Sequence, residues 1–285
     1  MRDILRVSEL ALWLRCRRRT YLQYELNYDS TPRVAGIGTA FHALIAEYHG
    51  KELTLRDVAQ IESLDPEAQE TVTKMFATYA VEAEADGLDV GQTTYAVELR
   101  LNEVIGGLTL SGQLDHLYFD EVMGCFVVQD TKTVGAFFQT AQRDFQLMTY
   151  LWLVVQWLRI NYPDKLGILF AVEHNQVKRN KRTKAAKPPF IQRTRHYVGI
   201  DEVEKWGDML AYMVQDYRDV MFGAENIWPE GEGYRDPRVW AKGTNDCSWF
   251  CPFATVCGMI DDPEADVSAV LESEFHKREE AEPHA

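Results

Sequence analysis

Between Thr94 and Thr133 the chain runs through three successive blocks of alternating apolar and polar residues, and this stretch restricts the fold more than any other. Tyr95 to Val104, Leu108 to Phe119 and Cys125 to Thr133 each repeat with a period of two, as expected of strands whose side chains point alternately to opposite faces. Gly106-Gly107 and the stretch from Asp120 to Gly124 supply the turns between them. Three consecutive antiparallel strands are therefore expected. Elsewhere the apolar spacing is that of helices. These cover Ser8 to Leu26 with Ser8 as N-cap, Gly38 to Tyr48, Pro66 to Ala85, Phe137 to Ile160 and Asp201 to Phe222. Leu166 to Glu173 and Phe190 to Val198 read as two more strands, so the fold class is α/β, a mixed central sheet flanked by helices. Asn226 to Asp246, rich in Gly, Pro and Trp, reads as a loop, and the acidic tail after Asp261 as a frayed end.

The third strand carries the first candidate site. In Val128-Gln129-Asp130-Thr131-Lys132, Asp130 and Lys132 share one face. With the preceding turn centred between Val122 and Met123, Asp115 falls opposite Asp130 on the neighbouring strand. Two carboxylates and an ammonium then converge, a set that suits a hard divalent cation such as Mg2+ and a phosphate ester, with the lysine serving the attacking water. A cross-strand salt bridge on an exposed face is the competing reading of any Asp-x-Lys. The apolar run Phe126-Val127-Val128 before it weighs against a solvated face.

Composition sets the remaining bounds. Of 285 residues, 46% are apolar and 26% charged, enough to bury a core. The most apolar stretch, Leu147 to Leu158, falls short of the roughly 20 residues that cross a bilayer, and no export signal is visible at the N-terminus. A reducing cytoplasm is the expected compartment. A net charge of −14 argues against a protein that coats nucleic acid non-specifically. Positive charge is nonetheless concentrated in Lys178, Arg179, Lys181, Arg182, Lys184, Lys187, Arg193 and Arg195, with no acid between. This segment reads as a solvated loop or as a local track for phosphates.

Cys247, Cys251 and Cys257 form C-x3-C-x5-C, with Cys16 far upstream and Cys125 in the third strand. An odd count in a reducing compartment makes a disulfide framework unattractive. Four thiolates can hold zinc or a 4Fe-4S cluster, and Cys125 reads as a small core residue.

With these residues in view, the sequence resembles the RecB-like branch of the PD-(D/E)XK nucleases, above all the CRISPR-associated and phage-encoded exonucleases with four cysteines, related to the AddB nuclease domain. Asp115 matches the metal aspartate, and Asp130 with Lys132 the (D/E)XK element. Ser8, Leu12, Cys16, Arg18 and Tyr21 are similar to the N-terminal cysteine helix, Gly38 to His42 to GxxxH, and Gln146 with Tyr150 to QxxxY. The resemblance implies a metal-dependent DNA exonuclease. Asp115, Asp130, His42 and Thr131 would hold Mg2+ or Mn2+, Lys132 would serve the water, Gln146 and Tyr150 would position the strand, and Glu98 would be an additional acidic residue. It also implies that Cys16, Cys247, Cys251 and Cys257 bind a 4Fe-4S cluster closing a helical lobe on a restriction-endonuclease-like core. The expected organisation is a helical region 1–92, a nuclease core 93–222, a cysteine-rich segment 223–262 and the acidic tail 263–285. The expected partner is DNA, single-stranded with a free end, guided by Lys178 to Arg195. Self-association and partner proteins of recombination or CRISPR systems are compatible with it, as are repair and phage DNA processing. The alternative is a catalytically idle iron-sulfur adaptor that only binds DNA.

Overall fold

In a computed structural model the described residues are 3–29, 35–138, 144–179, 186–228, 231–241, 247, 251–262 and 264–277. In chain order they form β1 (Ile4–Arg6), α1 (Val7–Arg15), α2 (Arg17–Thr20), a π-helical turn (Tyr21–Glu25) and β2 (Tyr28–Asp29). Three helices follow, α3 (Ala35–Tyr48), α4 (Leu55–Glu62) and α5 (Pro66–Ala85), then the strands β3 (Gln92–Ile105), β4 (Leu108–Asp120) and β5 (Cys125–Val134). After α6 (Phe145–Asn161) come β6 (Leu169–Lys178), β7 (Ile191–Gly199), α7 (Ile200–Ile227), α8 (Ala254–Ile260), α9 (Val267–Glu274) and β8 (His276–Lys277). The chain divides into two compact units, one of residues 32–103 and 111–208, the other of 1–31, 104–110 and 209–285. No helix among the described residues is long and apolar enough to cross a membrane.

The unit 32–103/111–208 is an α/β fold with a mixed sheet. Its strands run in the order β4-β5-β6-β7, and β3 pairs with β4. β4 and β5 are antiparallel in the register His116↔Gln129, Tyr118↔Val127 and Asp120↔Cys125, the register of a turn centred between Val122 and Met123. β5 and β6 are parallel, as the intervening α6 requires, and β6 and β7 are antiparallel. Helices cover both faces. Ala40, Phe41, Ile45, Val72, Met75 and Tyr79 of α3 and α5 form one core with Val177 of β6, and on the opposite face α6 is buried along Leu147–Val155.

Several boundaries depart from the sequence expectation. α6 starts at Phe145, not Phe137, because the Asp144 carboxylate accepts from the Leu147 N–H and caps it there. β6 continues five residues past Glu173 with buried polar side chains that broke the apolar pattern. α4 was unforeseen, although Thr54 and Asp57 build a full capping box at its start. α5 lies where expected, capped by Asp65.

In the other unit, the N-terminal segment is not one helix capped by Ser8. The chain first adds β1, then α1 begins at Val7 and breaks at Cys16, whose φ of −158° is extended and whose sulfur accepts from Arg19 N–H. Trp13 packs edge-on against Tyr217 of α7 at 5.1 Å and donates to Asp216 at 3.0 Å. The region after Asp261 is not frayed throughout. Phe275 stacks on Phe253, and β8 pairs with β2 in the register Tyr28↔Lys277. The expected fraying of 279–285 lies outside the described residues.

Candidate active site

The site lies in the unit 32–103/111–208, and its geometry begins with a glycine. A side chain at position 38 would meet Thr133 Oγ1 of β5 at 3.3 Å, so Gly38 lets α3 lie close to the strand. One turn on, His42 Nδ1 comes within 3.4 Å of Asp115 Oδ2. Glu98 joins them from β3. A nitrogen of His42 and one oxygen each of Glu98 and Asp115 lie within 4.8 Å of one another. Glu98 has a φ of +53°, a left-handed value uncommon for residues other than glycine. Such an outlier in a strand re-aims the side chain, and this kind of strain collects at functional sites. Gln113 donates through Nε2 to the Glu98 carboxylate, and its Oε1 accepts from Arg100 at 3.0 Å.

The β4–β5 register runs as far as His116↔Gln129. Beyond it, the Thr131 N–H donates to Asp115 Oδ2 at 2.7 Å, so a side chain takes the partner's place. Asp130, 3% exposed, is ion-paired with Lys132, whose Nζ lies 2.8 Å from Oδ2. Lys132 also donates to Gln146 Oε1 at 3.2 Å, and Gln146 Nε2 to Tyr150 OH at 2.7 Å. Tyr150 fits because Gly112 has no Cβ, which would sit 2.8 Å from its ring.

Electrostatics divide the carboxylates. Burial, reinforced by the charge of Asp115, pushes Asp130 up to about 6 against the pull of Lys132. Burial also raises Asp115, but its hydrogen bond and charge contact with His42 outweigh this and hold it below the usual carboxylate range. Burial disfavours the His42 cation, yet Asp115 prevails and raises that imidazole. Glu98 is raised by burial and by Asp115. The repulsion between Asp115 and Glu98 is what a divalent cation would relieve. A cation with bonds of about 2.1 Å spans about 4 Å between opposite donors, inside the 4.8 Å limit within which these ligand atoms lie. The donor set therefore fits.

A family model described as the PD-(D/E)XK nuclease superfamily matches residues 5–258. The chain belongs to this superfamily. No curated protein sequence matches it. Among solved structures, SSO0001 aligns with a TM-score of 0.40 and 14% identity over 91% of this chain and 88% of that one. A protein from Eubacterium rectale named as an exonuclease aligns with a TM-score of 0.48 and 9% identity over 78% and 82%. A phage-related exonuclease from Haemophilus somnus 129PT aligns at 0.30 and 12% over 70% and 97%.

Within this nuclease, His42, Glu98, Asp115, Asp130, Thr131, Lys132, Gln146 and Tyr150 come together. The expected metal set named Asp130, whereas the three-donor group contains Glu98, and Asp130 is ion-paired with Lys132. Of the basic segment, the Lys178 ammonium sits 4.4 Å over the Phe137 ring, the Arg179 N–H donates to Val134 O, and Lys187 is exposed. Lys181, Arg182 and Lys184 lie outside the described residues. Arg193 and Arg195 are not unopposed. Arg195 sits across from Glu173 in the β6–β7 register and bonds it at 2.8 Å, and Arg193 pairs with Asp89 at 2.8 Å. Their acids are distant in sequence, so counting local charges missed them. Cys125 is buried in β5 beside Tyr118 and Ala171. Sequence reasoning also passed over His174, Asn175 and Gln176, whose signal was a polar run after the apolar Phe170-Ala171-Val172.

Proposed function

We propose that this nuclease hydrolyses DNA from a free single-stranded end with Mg2+ or Mn2+, and that it belongs to the RecB-like branch with a 4Fe-4S cluster on Cys16, Cys247, Cys251 and Cys257. The observation that carries the catalytic part is the His42–Glu98–Asp115 donor group beside the Asp130–Lys132–Gln146 chain. A bound cation would polarise the phosphate and acidify its water. Thr131, whose N–H holds Asp115, would add a backbone ligand to the set. Lys132, held between Asp130 and Gln146, orients the attacking water and stabilises charge on the phosphorane. Gln146 and Tyr150 present hydrogen-bonding groups to the strand. Strand entry rests on Lys178, Arg179, Lys181, Arg182, Lys184 and Lys187, the local positive charge that an acidic chain needs to hold phosphates.

The cluster is supported by the unit that holds all four cysteines. The Cys251 thiol is raised chiefly by burial and also by the charges of Cys16 and Cys247, and Arg18 Nη1 lies 3.5 Å from Cys257 Sγ. The cytoplasm is the compartment this reading requires, and recombination, repair, phage DNA processing or CRISPR adaptation are the pathways it suits.

Linear and circular single-stranded DNA, labelled and incubated with Mg2+, Mn2+ or EDTA, test the proposal. Metal-dependent loss of linear DNA with circles spared is expected. Rapid cutting of circles would replace the exonuclease reading with an endonuclease, and cleavage undiminished by EDTA would remove the metal.

A further inference from the structure

β6 carries four successive buried polar residues, and the last three, His174, Asn175 and Gln176, are at 1%, 0% and 0% exposure. They pair in register with Asp130, Thr131 and Lys132 of β5. A parallel strand covered on both faces ordinarily continues as an apolar run, as Phe170-Ala171-Val172 does before the pattern breaks at Glu173, one residue ahead of the three that face Asp130-Thr131-Lys132. Burying three such groups is unfavourable unless each has partners; Asn175 and Gln176 find hydrogen bonds that lead back to the site, and His174 has the Asp144 carboxylate nearby.

On one face, Asn175 Nδ2 donates to Thr131 Oγ1 at 3.2 Å and to Tyr79 OH at 3.1 Å. Arg193 steadies both, donating to Asn175 Oδ1 at 3.4 Å and to Tyr79 OH at 2.9 Å. Thr131 is the residue whose N–H holds Asp115. On the other face, Gln176 binds both backbone groups of Phe138, accepting from its N–H at 2.9 Å and donating to its carbonyl at 2.7 Å. His174 Nε2 lies 3.5 Å from the carboxylate of Asp144, the residue that caps α6. Phe138 and Asp144 both belong to the connection from β5 to α6, the helix that bears Gln146 and Tyr150.

We infer that His174-Asn175-Gln176 are positioning residues of the active site: Asn175 fixes Asp115 through Thr131, and Gln176 and His174 fix the strand-contacting helix. The inference deepens the nuclease reading and rests on it. The two arms separate by readout. Asn175→Leu is expected to weaken Mn2+ binding, followed by electron paramagnetic resonance without DNA, about 10- to 100-fold, the usual cost of losing a group behind a metal ligand. Gln176→Leu is expected to leave Mn2+ affinity within about twofold while kcat/KM on DNA falls about 10- to 100-fold through misplacement of Gln146 and Tyr150. If Asn175→Leu does not fold, Tyr79→Phe, which removes only the hydroxyl bracing Asn175, carries that arm with a smaller loss in the same direction. Wild-type Mn2+ affinity in folded Asn175→Leu or in Tyr79→Phe overturns the first arm, and wild-type kcat/KM in Gln176→Leu overturns the second. Wild-type protein that binds no Mn2+ would instead overturn the nuclease reading and this inference with it.

Discussion

At the scale of single residues, surroundings assign different work to like side chains. Asp115 is half-buried and Asp130 buried, and contact with His42 keeps the first below the usual range while desolvation lifts the second. Lys132 holds its proton because Asp130 outweighs the cost of its burial. Lys132→Ala leaves Asp130 buried without its cation and should lower stability, and in folded protein it should lower the cleavage rate about 100- to 1000-fold, the range for removing one donor to transition-state charge; an unchanged single-turnover rate would remove it from the mechanism. His49 and His116 give a pH prediction of opposite sense. Their rings stack at 3.9 Å, and burial pushes His49 down to about 4 and His116 to about 2, the latter helped by the His49 charge. A depressed histidine binds its proton more readily in the unfolded chain, so its contribution is complete above the unfolded value of about 6.5 and is lost as pH falls below it. Urea midpoints should drop from pH 7 to pH 5 in the wild type and drop less in the double variant His49→Asn/His116→Gln. Equal drops in both would show that other groups dominate.

Among the elements, those set by local pattern were legible and those set by distant partners were not. The strands β3 to β5 and the β4–β5 register followed from alternation and one turn, and α5 from its apolar stripe and Pro66. Helix α6 was placed too early because Phe137 and Phe138 extend its apolar pattern, while its true start depends on Asp144. The end of β6 was lost because Asn175 and Gln176 make sense as strand residues only beside Thr131, Tyr79 and Phe138. Within the site, Asp130 and Lys132 were readable from their shared face, whereas Glu98 reaches the metal group through a φ that alternation does not foresee. The GxxxH spacing acquires a physical reason, with Gly38 bringing α3 onto β5 and His42 following one turn later. Gly38→Val should push the helix from Thr133 and carry His42 with it. The expected result is far-ultraviolet circular dichroism like the wild type with kcat/KM reduced about 100-fold, the cost of a displacement near 1 Å; full activity would mean that the close approach is dispensable.

For the whole molecule, both units are assembled from separated stretches of chain, which is why the expected linear division into four regions could not be read against a local boundary. The unit 1–31/104–110/209–285 draws on both ends of the chain: Tyr28–Asp29 pairs with His276–Lys277, Arg18 pairs with Asp261 at 2.8 Å, and Phe253 stacks on Phe275 at 4.8 Å. Such contacts close long loops, and any covalent tie across them removes much of the unfolded chain's freedom, by roughly 5 kcal/mol for a single cross-link over a loop of more than about 100 residues. The proposed cluster on Cys16, Cys247, Cys251 and Cys257 would be such a tie, with Cys125 excluded by its place in β5 among Tyr118, Val127 and Ala171. This gives a paired prediction. Anaerobically purified wild-type protein should be brown and contain iron with acid-labile sulfide. Cys16→Ser should lose both and melt at lower temperature, because the tie between the chain ends is gone, whereas Cys125→Ser should keep its iron. Stoichiometric zinc without sulfide would overturn the cluster, and full iron in Cys16→Ser would overturn the four-cysteine ligand set.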